Sequence, residues 1–329
     1  MKDILGIEIG NKTVKFAEFR RGTLRNFIAV TVPDNVVVND SLIAFEAMGD
    51  LIKETVKANK IGVRKAVLVL PGADVSLRRL VLPAMNEKQL MVNMPYEFKD
   101  VLSMDKDKYI YDYAMIDYIK DEEGNVKEME LLGAVVSAEL IDKYVEMFKR
   151  AGIKLVRAIP REMSLSALIE VLNGESEIKD FAVLDLGYKS SKVDIFKNGV
   201  YEITTTIDSG TETIEALVAD QMGVDEHLAA QYIEMNKDNI LESEKVVDIY
   251  SRIATEIMRV MNYYAFENPE SNLDTLYYCG GGSLIARFIA EIKEYVNLEL
   301  KPLGTLSEST EDDEAITKGA EAVGACLEE

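Results

Sequence analysis

The chain has 329 residues, is 48% hydrophobic and carries a formal net charge of −21. That length and apolar fraction allow a sizeable buried core and roughly two domains, while the carboxylate excess repels nucleic-acid phosphates and anionic membrane surfaces and so excludes both as partners. The single histidine, His227, removes Ser-His-Asp and Cys-His catalysis, and Cys279 and Cys326 lack the spacing of a zinc site or a disulfide framework.

Alternating apolar and polar positions predict strands at 4–9, 14–19 and 24–32, with turns at Gly10-Asn11 and Arg21-Gly22. A helix is expected over 41–59 with Ser41 as its cap, and the apolar run AVLVL at 66–70 reads as a central strand. Residues 75–137 then form a separate small unit. It comprises a strand near 77–82, a helix from 86 to about 102, and two long strands, 109–119 and 126–137, joined by a Gly124-Asn125 turn. A helix over 138–151, a strand over 153–158 and a helix over 163–172 follow. His227 falls on a solvated helix face.

The stretch FAVLDLGYKSSKVDIFKNG at 181–199 is a hairpin with a carboxylate at its mouth. It repeats LGIEIGNKTVKFAEFRRG near the N-terminus at one constant offset. Glu8 falls on Asp185, Gly10 on Gly187, Lys12 on Lys189, Thr13 on Ser190, Lys15 on Lys192 and Gly22 on Gly199. Two half-length units opening alike mark a duplicated, two-lobed fold. Gly-rich hairpin tips cradle anionic oxygens with backbone N–H groups, and a carboxylate before the glycine can hold Mg²⁺ through water. Two facing tips would therefore clasp a nucleotide's phosphates. The second half continues with a strand at 203–207, helices over 211–223, 225–235 and 242–266, and a buried strand at 276–279. That strand enters Gly280-Gly281-Gly282, where a helix over 283–296 is expected to start and to direct its partial positive charge at a ligand. An acidic loop at 307–314 precedes a closing helix at 315–327. No segment has a leader's pattern or the length of a membrane span, so a cytoplasmic location is expected.

Glu8-Ile9-Gly10-Asn11-Lys12-Thr13, Asp185-Leu186-Gly187-Tyr188-Lys189-Ser190 and Cys279-Gly280-Gly281-Gly282 resemble the phosphate 1, phosphate 2 and adenosine motifs of the actin/Hsp70/FtsA ATPase superfamily. Segments 160–168 and 320–326 look like its two connecting helices. The resemblance implies an α/β, duplicated two-lobed actin-like ATPase (ribonuclease H-like) fold with an inserted 1C-type subdomain. Its parts would be 1A at 1–74 and 138–178, 1C at 75–137, 2A at 179–210 and 273–329, and a helical 2B at 211–272. Residues 33–40 are too few for the actin-type insertion, whereas 75–137 lies where FtsA and the type IV pilus assembly protein PilM family carry 1C. The chain ends at 329 without the basic amphipathic helix that closes FtsA, and so is most similar to the PilM family.

That similarity implies a cytoplasmic adaptor that binds ATP and Mg²⁺ between its lobes and captures the N-terminal cytoplasmic tail of PilN, joining the inner-membrane pilus platform. Glu8 and Asp185 would face the metal. Gly10, Asn11, Lys12, Thr13, Lys15, Gly187, Tyr188, Lys189 and Ser190 would face the phosphates, with Gly280, Gly281 and Gly282 at the nucleoside. Glu162 would orient water. The tail's groove would lie between main lobe and insertion, near Leu90, Met94, Pro95, Tyr96 and Phe98, although those apolar residues equally suit packing of the helix on its own strands. Three positions depart from the family pattern. Glu8 replaces an Asp, and Gln231 and Glu234 stand where an adenosine-contacting Glu and Lys are usual. Nucleotide binding is thus expected ahead of efficient hydrolysis. The alternatives are an FtsA-like polymer-forming protein and an ATPase or small-molecule kinase of the same fold, and self-association is left open.

Overall fold

The structure, a computed structural model, describes residues 3–38, 40–100, 105–174, 180–306 and 313–327. Two compact units emerge, one of residues 1–31 with 162–329 and the other of residues 32–161. The first unit opens with β1 (Ile4–Ile9), β2 (Thr13–Arg20) and β3 (Thr23–Thr31) in antiparallel succession. Leu5, Ile7, Val14, Phe16 and Ala17 are buried, and the β2–β3 turn is Arg21-Gly22 with φ of 54° and 80°. Positive φ at both central residues gives the hairpin turn that suits strand twist.

The second unit begins with a short antiparallel pair, β4 (Val37–Val38) and β5 (Ser41–Leu42). Ser41 therefore pairs with Val38 and does not cap a helix. Helix α1 (Phe45–Ala58) starts after Ala44, which makes no side-chain cap. Strand β6 (Lys65–Leu70) has five consecutive buried residues, as a strand covered on both faces requires. The inserted sheet follows: β7 (Val75–Pro83), helix α2 (Glu87–Glu97), β8 (Tyr109–Lys120) and β9 (Val126–Ser137), in the order β7-β9-β8. Asn86 and Gln89 cap α2 reciprocally, side chain to backbone. Helix α3 (Ala138–Arg150) and β10 (Lys154–Pro160) complete the unit, with β10 parallel to β6. Helices α1 and α3 meet where the Phe45 and Tyr144 rings pack edge to face at 5.3 Å.

Helix α4 (Arg161–Asn173) leads back into the first unit. There β11 (Phe181–Leu186), β12 (Ser191–Lys197) and β13 (Val200–Ile207) repeat the opening meander. The repeat holds in backbone detail. Glu8 pairs with Lys15 as Asp185 pairs with Lys192; the register slips between Glu18 and Phe19 as it does between Ile195 and Phe196. The turns correspond as well, Asn198-Gly199 having φ of 53° and 76°. Helices α5 (Glu212–Met222), α6 (Glu226–Glu234) and α7 (Glu244–Glu267) follow. Val246, Ile249, Ile253, Ile257 and Met261 form the buried stripe of α7, as their helical period predicts. Strand β14 (Thr275–Cys279), helix α8 (Ala286–Tyr295), strand β15 (Glu299–Pro302) and helix α9 (Asp313–Gly324) end the described chain, giving a sheet ordered β13-β12-β11-β14-β15.

One further expectation changes. A 3₁₀ turn, Gly281–Leu284, takes up the last two glycines, so α8 begins beyond it at Ala286 and does not start at the triglycine. Most of the acidic loop expected at 307–314 lies outside the described residues. Among those residues, no helix is long and apolar enough to cross a membrane.

Candidate functional site

Both carboxylate hairpins belong to the first unit and close alike. The Gly10 amide donates to the Thr13 carbonyl at 3.0 Å, and a Cβ on Gly187 would sit 2.6 Å from the Ser190 carbonyl oxygen. Only glycine lets the second tip fold back so tightly. Strand β14 lies parallel to β11 with Cys279 beside Asp185, which brings the triglycine onto that carboxylate. Gly280 has φ of +88°, and a Cβ there would lie 2.3 Å from Asp185 Oδ1. Its amide donates to the Thr317 carbonyl at 2.8 Å.

The start of α5 is fastened to the second tip. Thr211 N–H donates to the Gly187 carbonyl at 3.1 Å and Glu212 N–H to the Tyr188 carbonyl at 2.9 Å. These bonds satisfy helix-end donors that would otherwise be free for an anion. The charged groups at this end are therefore side chains.

Lys15 Nζ lies 2.5 Å from Glu8 Oε1, with side chains 16% and 11% exposed. Burial pulls the Lys15 pKa down, but Glu8, Asp185 and Glu321 outweigh it and hold the ammonium above the usual lysine range. The other oxygen, Glu8 Oε2, is buried without a hydrogen-bond partner among the described residues. Lys12 Nζ reaches Glu215 Oε1 on α5 at 2.6 Å and lies 4.9 Å from the centre of the Tyr188 ring. The Tyr188 hydroxyl donates to the same Glu215 oxygen at 3.4 Å. Burial, then Glu215, Glu212 and Glu226, push the Tyr188 pKa well above its ordinary value, so the hydroxyl keeps its proton. Lys189 makes an equivalent but more open pair with Glu212 at 2.5 Å.

The structure thus brings Glu8, Lys15 and Asp185 into one electrostatic group, and Lys12 onto Tyr188. Gly10, Asn11 and Thr13 form one tip; Gly187, Tyr188, Lys189 and Ser190 form the other; Gly280, Gly281 and Gly282 adjoin Asp185. Glu162 is buried in the first turn of α4. Gln231 and Glu234 both lie exposed on α6. Sequence reasoning missed Glu212, Glu215 and Glu321. The first two read as ordinary acids favouring a helix N-terminus, and only tertiary folding delivers lysines to them.

In the second unit, Leu90, Met94 and Phe98 are buried against Leu80, Leu82, Met129, Leu131 and Val135. Their packing is internal, and it withdraws these three side chains from any open groove. Pro95 is half-buried inside α2, while Tyr96 is 60% exposed beside exposed Met91 and Val92. Strand alternation sets a different apolar row on the face of the sheet away from α2. It consists of Leu77 and Val81 of β7, Leu132, Ala134 and Val136 of β9, and Ile110 of β8. Val81 and Ile110 are exposed, and the Arg79–Glu130 ion pair at 2.5 Å crosses this face.

Among solved structures, a PilM-PilN type IV pilus biogenesis complex superposes with a TM-score of 0.84 at 18% identity, covering 99% of this chain and 98% of that one. The ethanolamine utilization protein EutJ from Carboxydothermus hydrogenoformans gives 0.58 at 12% identity, covering 97% and 88%. An archaeal actin homologue gives 0.52 at 13%, covering 98% of each chain. At these identities the likeness establishes the actin-like ATPase fold. A family model described as type IV pilus assembly protein PilM matches residues 6–309, and the chain belongs to that family.

Proposed function

We propose that this protein is a nucleotide-binding adaptor of type IV pilus assembly that clasps the phosphates of ATP between its two hairpin tips. It works at the cytoplasmic side and captures the N-terminal tail of PilN. The observation that carries the reading is the meeting of two duplicated carboxylate-glycine tips, Lys12 of one lying on Tyr188 of the other, in a chain of the PilM family. The solved complex of PilM with PilN supports the partner.

Mg²⁺ fits the donors present in one manner only. Among the described residues no three acidic, His or Cys side chains gather into a metal cage, yet Glu8 Oε2 is a buried, unpartnered hard oxygen. Mg²⁺ keeps several waters and takes one or two carboxylates together with substrate phosphates. Glu8 and Asp185 would hold it, arriving with the nucleotide, and it would neutralise phosphate charge. Gly280, Gly281 and Gly282 would flank the nucleoside. Glu162 is assigned to orient water, and with Glu8 tied to Lys15 turnover is slow, below about 1 s⁻¹, the low end of ordinary enzyme rates.

For the PilN tail we assign the apolar sheet face around Val81, Val136 and Ile110, with Tyr96 at the far side of the same small sheet. Titration of a synthetic PilN N-terminal peptide tests this. Binding to the wild type that falls at least tenfold in Ile110→Asp, an exposed position on this face, with the fold retained, is the expected result. No binding to the intact protein would remove the adaptor reading.

A further inference from the structure

We propose that the Lys12–Glu215 ion pair is a latch across the phosphate position, and that an incoming phosphate must displace the Glu215 carboxylate from the Lys12 ammonium. The inference rests on the nucleotide reading above and adds a gate to it. Lys12 starts on the first tip, crosses the face of Tyr188 on the second, and ends on Glu215 of α5. One ammonium therefore ties the two tips that the ligand is expected to touch to the first turn of α5.

Glu215 is placed to imitate the ligand. Its side chain is 7% exposed, and it accepts from both Lys12 and the Tyr188 hydroxyl. A carboxylate and a phosphate oxygen make the same charge-assisted bond to an ammonium. The helix end cannot substitute, because the Thr211 and Glu212 amides are spent on the hairpin carbonyls. The corresponding pair on the other tip, Lys189 with Glu212, is about one third exposed on each side, where solvent screens it. Glu215, unlike Glu212, is buried while its partner Lys12 stays 29% exposed, so the Lys12 pair is the one that a phosphate must open.

The test titrates a fluorescent ATP analogue with Mg²⁺ into wild type, Glu215→Gln and Lys12→Met. In parallel, the nucleotide-free proteins are acylated with an amine-selective reagent and modification of Lys12 is followed by mass spectrometry. Removing the resident anion is expected to tighten nucleotide binding at least tenfold, about 1.4 kcal/mol, and to speed Lys12 acylation several-fold. Lys12→Met is expected to weaken binding at least tenfold; a merely structural pair would not split the two variants in sign. If Glu215→Gln does not fold, the double variant, which leaves no charge unpaired, supplies the comparison by binding more tightly than Lys12→Met. Equal affinity of wild type and Glu215→Gln, or an unchanged acylation rate, overturns the latch and leaves the nucleotide reading standing. Absence of nucleotide binding in every form overturns the nucleotide reading and the latch with it, whereas nucleotide binding with equal affinity overturns the latch alone.

Discussion

Glu8 and Lys15 face one another because antiparallel pairing of β1 with β2 puts them directly opposite, and low exposure turns that neighbourhood into a buried ion pair. Losing one partner of such a pair costs more than the pair contributes, since the other is left charged and dry. Lys15→Met is accordingly expected to lose about 3–5 kcal/mol in urea unfolding, and Glu8→Gln with Lys15→Met to recover much of it. With its pKa raised in the folded state, Lys15 contributes fully below the unfolded lysine value of about 10.4 and loses that contribution only as pH climbs through the folded value. Asp74 behaves differently. Burial raises its pKa, and the bond from the Tyr144 hydroxyl only partly opposes this. A carboxyl with a raised folded pKa stabilises below the unfolded value, near 3.9, and gives that up as pH rises. The stability of Asp74→Asn relative to wild type should therefore grow from pH 4 to pH 7, and a difference independent of pH would contradict the assignment. Glu8, Lys15 and Asp185 were legible in sequence because strand register is local. Glu215 was not, because nothing near it in the chain says that Lys12 will arrive.

The elements of the inserted sheet show how one apolar pattern hides two roles. Helix α2 presents Leu90, Met94 and Phe98 to its own strands, and Gly133 makes room for them, since a Cβ there would lie 2.9 Å from the Met94 side chain. Met94→Ala should cost about 2–5 kcal/mol, as other buried truncations do, and is measurable by chemical denaturation. Ile110, 45% exposed, sits on the opposite face. Ile110→Ser should change stability by less than about 0.5 kcal/mol yet weaken PilN peptide binding, and the reverse pattern would return the docking face to α2. The two long strands and the helix of this unit were readable from their periods. The side on which the helix settles was not, because β9 is apolar on both faces. The start of α8 differs from its sequence pattern because strand, glycines and helix imply a direct turn, but the chain spends Gly281–Leu284 on a 3₁₀ turn first.

For the molecule as a whole, the internal duplication is the organising fact, and it was visible as aligned residues before it appeared as aligned geometry. Register slips and left-handed turn residues recur at equivalent places in both hairpins, which fixes the two tips as variants of one design. Sequence could not show the tips engaging each other, since that depends on how the meanders pack within the first unit. The engagement is what converts two ordinary turns into a candidate phosphate clasp, with Asp185 against the triglycine and its charge helping to raise the Lys15 pKa. Isothermal titration of Mg²⁺ with ATP into wild type and Asp185→Ala tests that clasp most directly. One nucleotide per chain, with affinity falling at least tenfold in the variant, is the predicted result; undiminished binding by Asp185→Ala would contradict it.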